Sequence, residues 1–380
     1  MWARVMGLHP GLHPGGGWAR TSRPDAPDRS VGKDATDEMN ETTRAGDPGR
    51  TLRAVQISSL GTYVPPRVLT NSQLEQIVDT SNEWILKRTG IRERHIADDD
   101  VATSDLAVEA ARSALAGAGV TAADIGFLVV GTTTPDTFFP STACLVQDRL
   151  GATRAWGFDL GAACSGFTYS VTTAMQMVAS GAHDHALAIG ADVMSRIIDY
   201  QDRTTCVIFG DGAGAVVVSP AADPDLRILD FAHEVDGSGG PALRMPAGGS
   251  RLPASHDTVD QRLHYVHQDG AAVFKFAVRK TSEICHRILD RNGLRTADVD
   301  LFVSHQANRR IIKAAAGQLS LPDEKVVINI DRFGNTTGAT IPLALADALA
   351  DKRLKKGDLV LLASVGAGFT VGAMLVRWAY

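Results

Sequence analysis

The chain repeats itself, and that repetition constrains its fold more than any other feature. LAGAGVTAADIGFLVVG (115–131) matches LDRNGLRTADVDLFVSH (289–305) in register, from helix end to strand end. FDLGAACSGFTYSV (158–171) has a counterpart in INIDRFGNTTGATIPLAL (328–345): a strand, an Asp, a small-residue turn and a helix. GDGAGAVVVS (210–219) is echoed by VGAGFTVGAMLVRW (365–378). One such echo is what unrelated βα units give by chance; three in the same order imply two similar halves, 53–222 and 226–380. In a pseudo-twofold pair, equivalent strand-to-helix turns face each other. Residues distant in sequence then meet in one cleft at the carboxyl ends of the strands.

The local pattern agrees with an α/β class. TSDLAVEAARSALAGAGV (103–120) has helical periodicity, with Thr103 or Ser104 as cap and Gly117 or Gly119 as stop. IGFLVVGTTTP reads as a buried strand entering a loop, and PSTACLVQDRLGA as a helix opened by Pro140 and Ser141. AWGFDLGAAC reads as a strand reaching Cys164, followed by a helix; HALAIGADV and TCVIFGDGAGAVVVSP read as further strands. Residues 1–52 differ: rich in Gly, Pro, Arg, Asp and Thr, they predict a disordered tail without the apolar core of a secretory signal. Met39, just before the folded part, raises the expectation of an over-called start.

Charge and cysteine usage exclude several classes. A formal net charge of −5 argues against a general nucleic-acid binder. The four cysteines form no C-x-x-C pair, which predicts neither a disulfide framework nor a zinc site, and a reducing cytosol. No stretch has the roughly 18–20 apolar residues of a membrane span.

Cys164 stands just before a helix, where orphan N–H groups and the positive dipole end favour a thiolate; the alternative is a small buried hydrophobe. His305 ends an apolar strand, and Asn335 lies near glycines in RFGNTTGAT (332–340), where a helix cap or Asx turn is its ordinary use. Cys, His and Asn at comparable sheet ends suit acyl transfer. A thiolate attacks a thioester, and a neutral imidazole with a carboxamide N–H steadies an enolate oxygen. SVGAGFT (364–370) offers backbone N–H groups for a tetrahedral oxyanion, through Gly366, Ala367 and Gly368. GDGAGA (210–215) reads as a β-turn rather than a phosphate loop, because VVVSP follows it as strand. In DTSNEWILKRTGIRERHI (79–96), Thr80 and Glu83 predict a capping box and Gly90 a helix stop. Trp84 and Arg88 then share one face, an indole and a guanidinium suited to adenine or phosphate.

Taken together, DTSNEWILKRTGIRERHIA, AACSGF, DRTTCVIFGDGAGAV, DGAAVFKFAV, SHQANRRII, FGNTTGATIPLAL and GAGFTVGAMLVRW resemble the β-ketoacyl-acyl-carrier-protein synthases III, of the thiolase superfamily. The resemblance covers the chain after residue 52. It implies a thiolase-like duplicated five-layer αβαβα fold and a homodimer, in the cytoplasmic setting that the cysteines predict. It also implies a decarboxylative condensation of acyl-CoA with malonyl-acyl carrier protein that initiates fatty-acid synthesis. Cys164 would be acylated, with His305 and Asn335 assisting. Trp84, Arg203, Thr80, Arg88, Gly270, Phe274 and Asn308 would bind CoA. Lys275, Arg310 and Lys313 would receive the acidic carrier protein. Phe139 would reach across the dimer to close the partner's acyl pocket, its bulk favouring acetyl. No metal or further cofactor is implied, nor a nucleic-acid or membrane partner.

Thr204, where Gly is common, and Val371, where an aromatic is frequent, depart from the family pattern, as does the long tail. The competing readings are a ketide synthase or acyltransferase of specialised metabolism with the same three residues, and a non-catalytic acyl-CoA-binding protein. Retention of all three residues argues against the last.

Overall fold

A computed structural model describes residues 52–380; the reading of 1–51 as a tail lies outside the described residues. The first half supplies β1 (Val55–Tyr63), α1 (Asn82–Thr89), α2 (Thr103–Ala118), β2 (Phe127–Gly131), α3 (Thr142–Leu150), β3 (Trp156–Leu160), α4 (Gly166–Ala179), β4 (Ala186–Asp192) and β5 (Gly212–Pro220). The second supplies β6 (Ile228–Val235), α5 (Gly270–Arg291), β7 (Leu301–Ser304), α6 (Arg309–Gln318), α7 (Thr340–Ala350), β8 (Leu359–Gly366) and β9 (Thr370–Arg377). Shorter elements are given by residue range.

The strand orders are β1-β5-β4-β2-β3 in one sheet and β7-β8-β9-β6 in the other. These orders coincide once β6 is matched to β1, β7 to β2, β8 to β4 and β9 to β5. The counterpart of β3 is cut short: only a parallel bridge from Val326 to Phe302 forms, because the chain turns at once into the short helix Ile330–Phe333. INID is therefore not the strand its apolar residues predict. β2 pairs in parallel with both β3 and β4, and every one of its residues is buried, which explains its unbroken apolar run.

Two helices lie between the sheets. Phe167, Val171 and Ala174 of α4 and Ile341, Ala344 and Leu345 of α7 pack with Val129 and Val216 of one sheet and Val303 and Leu362 of the other. Leu106, Ala110 and Ala114 of α2, with Val146 of α3, cover the outer face of the first sheet against Leu128 and Val130. Ile284 and Ile288 of α5, with Ile312 of α6, do the same for the second against Phe302 and Leu361. The result is the five-layer αβαβα arrangement.

Three local expectations change. Neither Thr103 nor Ser104 caps α2: both lie inside the helix, which is entered from Ala102 with no side-chain cap. Ser81, not Thr80, caps α1: its side chain accepts from Trp84 N at 3.1 Å, while Gly90 closes the helix with φ 85°. A residue with side-chain oxygen at either position looks alike in sequence, and extended backbone at Ser81 decides it. TCVIFGDGAGAVVVSP becomes strand only at Gly212. Before it, the buried Asp211 carboxylate accepts from Ala97 N, Ser195 N and Ser195 Oγ, so the chain there ties loops together. Among the described residues no helix is long and apolar enough to cross a membrane.

Candidate active site

A cavity of about 640 Å³ opens between the two halves at the strands' carboxyl ends. Trp84, Arg88, Gly270, Phe274, Asn308 and Arg310 line it from exposed or half-buried positions, and Cys164, His305, Asn335 and Gly366 from buried ones.

Cys164 occupies a single 3₁₀ turn, Ala163–Ser165, between β3 and α4. Ala163 is held at φ 47°, a left-handed conformation that costs a residue with a Cβ and that the surroundings must enforce. Thr370 Oγ1, donating to Ala162 O at 2.8 Å, is one such tie. Thiolate character is not what the free cavity favours. Burial pushes the Cys164 thiol up to about 12, the nearby Asp192 carboxylate adds to the rise, and the residue's own N–H opposes it only partly. The helix end is real, but desolvation outweighs it.

His305 follows β7 directly, its N–H bonded to Ala363 O at 2.7 Å. Its Nδ1 lies 2.7 Å from Thr340 Oγ1, while Nε2 is buried with no partner in the protein. Burial lowers its pKa to about 3, so the ring is neutral at physiological pH. Asn335 is clamped through its backbone, N–H to Ile208 O at 2.9 Å and O from Gly210 N at 3.1 Å. Its Oδ1 accepts from Thr337 N at 2.9 Å, an Asx turn that fixes the carboxamide and leaves the Nδ2 donors unspent. The Asx turn expected as its ordinary use is thus present, and it leaves Nδ2 available.

At the opening, the Trp84 indole has the Arg203 guanidinium 5.3 Å and the Arg88 guanidinium 5.8 Å from its ring centroid. Arg203 also donates to Asp79 O at 3.0 Å. It does not line the cavity itself and acts on the opening through Trp84. Asn308 caps α6 by accepting from Arg310 N and ties α1 by donating to Arg88 O, so its carboxamide is engaged on both sides. Arg310 rests over Phe274 at 5.3 Å. Lys275 is exposed, and Lys313 pairs with Asp323 at 3.2 Å, so neither reaches the cavity. Thr80 does not line it either, nor do Ala367 and Gly368: of the 366–368 loop only Gly366 does, next to Val365 and Phe369. Val371 is fully buried among β9's outer packing and leaves the cavity untouched, whereas Thr204 lines it. Phe139 is 86% exposed on the single chain.

Several residues of the site escaped sequence reasoning. Asp192 is fully buried, and its carboxylate accepts from Thr133 N at 2.7 Å, from Gly338 N at 3.2 Å and from the Thr337 hydroxyl. Thr337, at φ 49°, and Thr340 join this carboxylate to Asn335 and His305. The threonine run in FGNTTGAT was the available signal. Leu243 and Gln268 line the opening from the irregular 236–268 segment, which offered none.

Two family models match the chain. "3-Oxoacyl-[acyl-carrier-protein (ACP)] synthase III" matches residues 158–237, and its C-terminal counterpart matches 289–378. Beta-ketoacyl-[acyl-carrier-protein] synthase III of Solibacter usitatus is 60% identical over 327 residues, 86% of this chain and 99% of that protein. The protein of the same name from Koribacter versatilis is 58% identical over 330 residues, 87% and 99% respectively. The crystal structure of 3-oxoacyl-[acyl-carrier-protein] synthase III from Aquifex aeolicus superposes with a TM-score of 0.79 at 42% identity, covering 85% of this chain and all of that one. The Thermus thermophilus structure gives 0.80 at 43%, covering 85% and 99%.

Proposed function

The chain belongs to the β-ketoacyl-acyl-carrier-protein synthase III family, and from that premise we propose how its own residues perform the family's condensation of acyl-CoA with malonyl-acyl carrier protein. Cys164 Sγ attacks the thioester carbon of acyl-CoA. The C–S bond to CoA breaks, and the thiol proton leaves on the CoA sulfur, giving acyl-Cys164 and free CoA. Malonyl-acyl carrier protein then enters the same cavity and loses CO2. The negative charge that develops on its thioester oxygen meets Nε2–H of His305 and Nδ2–H of Asn335. The enolate carbon attacks the acyl-cysteine, forming the new C–C bond and expelling the Cys164 sulfur as thiolate, which takes a proton from solvent. The product is a 3-oxoacyl-acyl carrier protein.

The observation that carries this reading is the state of Asn335: with Oδ1 held by Thr337 N, the carboxamide is fixed with its Nδ2 donors unspent, on the same cavity as a neutral imidazole. A carboxylate there would repel the developing charge. No step requires a metal or a further cofactor. Trp84, flanked by Arg88 and Arg203, suits a stacked adenine with nearby phosphates. The exposed cations Lys275 and Arg310 suit an acidic carrier protein. The edge strand β3 exposes Trp156 and Phe158, and Phe139 stands clear of its own chain. We place a second copy of the chain against them, with Phe139 closing the partner's acyl pocket around an acetyl primer. The four free cysteines fit a reducing, cytosolic setting.

Incubation with acetyl-CoA followed by intact mass measurement should add one acetyl group, absent from Cys164→Ala. With malonyl-acyl carrier protein the acylated enzyme should release CO2. Acetylation of Cys164→Ala overturns the assignment of the nucleophile.

A further inference from the structure

The condensation just described requires a proton on His305 Nε2, and the ring's surroundings contain one group able to fix it there. His305 Nδ1 lies 2.7 Å from Thr340 Oγ1, and that same hydroxyl lies 3.0 Å from Thr337 O. A hydroxyl has one proton to give. Given to Thr337 O, it leaves the oxygen to accept from a protonated Nδ1, and Nε2 then faces the cavity as a bare lone pair. Given to Nδ1, it makes Nε2 the protonated nitrogen.

Three observations favour the second arrangement. Thr337 O already accepts from the Thr340 backbone N–H, so the bond it can also take from the Thr340 hydroxyl is a second one and is the one that can be given up. The bond to the ring is the shorter of the two. Nε2 is buried without a protein partner, lining the cavity together with Asn335, whose carboxamide is turned to donate. Imidazolium, which would donate from both nitrogens, is excluded by burial, which keeps the ring neutral well below pH 7. We infer that Thr340 donates its hydroxyl proton to Nδ1 of His305, holding the ring as the Nε2–H tautomer, and is a positioning residue for the decarboxylation step.

Thr340 suits this task by its place in the chain. It is 2% exposed and is the first residue of α7, directly after the 3₁₀ turn Thr337–Ala339. The turn that supplies the N–H donor to Asn335 Oδ1 therefore also sets the reach of the hydroxyl, so both donors of the proposed enolate site are referenced to one short segment. This rests on the functional reading above, but tautomer state is measurable without turnover.

The test uses the full chain labelled with ¹⁵N-histidine, in the absence of substrate at pH 7. Long-range ¹⁵N–¹H correlation, with His305→Gln for assignment, should show a pyridine-type Nδ1 and a pyrrole-type Nε2. A pyrrole-type Nδ1 overturns the inference even if the enzyme condenses normally. Thr340→Val should lower CO2 release from malonyl-acyl carrier protein about 10- to 100-fold while self-acylation by acetyl-CoA stays within about threefold. Thr340→Ser, which keeps the hydroxyl, should restore CO2 release. Equal loss of both half-reactions in Thr340→Val, or no restoration by Ser, contradicts the role. A failure of the functional reading looks different: the wild-type protein would take up acetyl without releasing CO2, with the imidazole signals unchanged.

Discussion

Replacing Gly366 by Ala tests how closely the end of β8 is fitted to the proposed nucleophile, Cys164. A Cβ on Gly366 would lie 2.7 Å from Cys164 N, 2.9 Å from Thr370 Oγ1 and 3.1 Å from Ala162 O. Two of the three are backbone atoms of the Cys164 turn, and Thr370 Oγ1 is itself bonded to Ala162 O, so no flexible side chain can absorb the clash. Relief requires the turn and strand to part by roughly 0.5–1 Å. A displacement of about 1 Å of a reacting group costs on the order of 10²-fold. Loss of a backbone donor to the tetrahedral oxyanion costs about 10²–10³-fold. Acylation should therefore slow by about 10²–10³-fold, or roughly 3–4 kcal/mol of barrier. Overpacking should cost about 1–3 kcal/mol of stability. The assay is rapid-quench mass measurement of acetyl-enzyme formation, with circular dichroism to confirm folding. Gly317→Ala in α6 is the control: its Cβ meets nothing within 4 Å, so activity should be unchanged and stability about 0.5–1 kcal/mol higher. A folded Gly366→Ala protein that acylates within threefold of wild type would refute the fit between β8 and the Cys164 turn.

Two further outcomes follow from the electrostatics. Burial lowers the pKa of His233 to about 4, so between about 4 and the ordinary 6.5 the unfolded chain binds a proton that the folded one refuses. The stability this contributes is complete above pH 6.5 and is lost as pH falls through that window. Urea midpoints at pH 7 and 5 should therefore differ less for His233→Gln than for wild type; equal differences would contradict the burial argument. Trp84→Ala removes the ring between Arg88 and Arg203 and should raise KM for acetyl-CoA about tenfold with little change in kcat, since a cation–π or stacking contact contributes about 0.5–2 kcal/mol. An unchanged KM would remove Trp84 from the CoA site.

What the sequence showed and what it hid divide along a physical line. β2's FLVVG and the helix stop at Gly119, φ 65°, were legible because periodicity and glycine conformation are local. Cys164, His305 and Asn335 were legible as residue types at sheet ends, and the fold brings all three to one cavity. The charge state of Cys164 was not legible. A helix N-terminus can be read from residues 164–166, but the burial that outweighs it is a property of the assembled fold, in which Gly366 of β8 packs against the Cys164 turn. Asp192 was hidden for the same reason, since its donors come from residues 133 and 337–338.

The duplication also explains why the protein has one such site and not two. β2 pairs with β4 at Phe127–Ala186 and β7 with β8 at Leu301–Val360, so Gly131 stands where His305 stands and Asp192 where Gly366 stands. The left-handed residues Ala163 and Thr337 open equivalent 3₁₀ turns, which places Gly338 opposite Cys164 and Gly161 opposite Asn335. At the mirror position the thiol, imidazole and carboxamide are thus all glycine. The space that Gly366 leaves open beside Cys164 is filled there by the Asp192 carboxylate, bonded to the Gly338 N–H. That filling does work for the surviving site. The same carboxylate accepts from the Thr337 hydroxyl, and Thr337 supplies the N–H that orients Asn335. The half that carries Asp192 at this position is in this way a brace for the half that carries Asn335. Gly338, whose N–H is the counterpart of the Cys164 N–H, binds a fixed carboxylate oxygen where its twin would bind the oxyanion of the reaction.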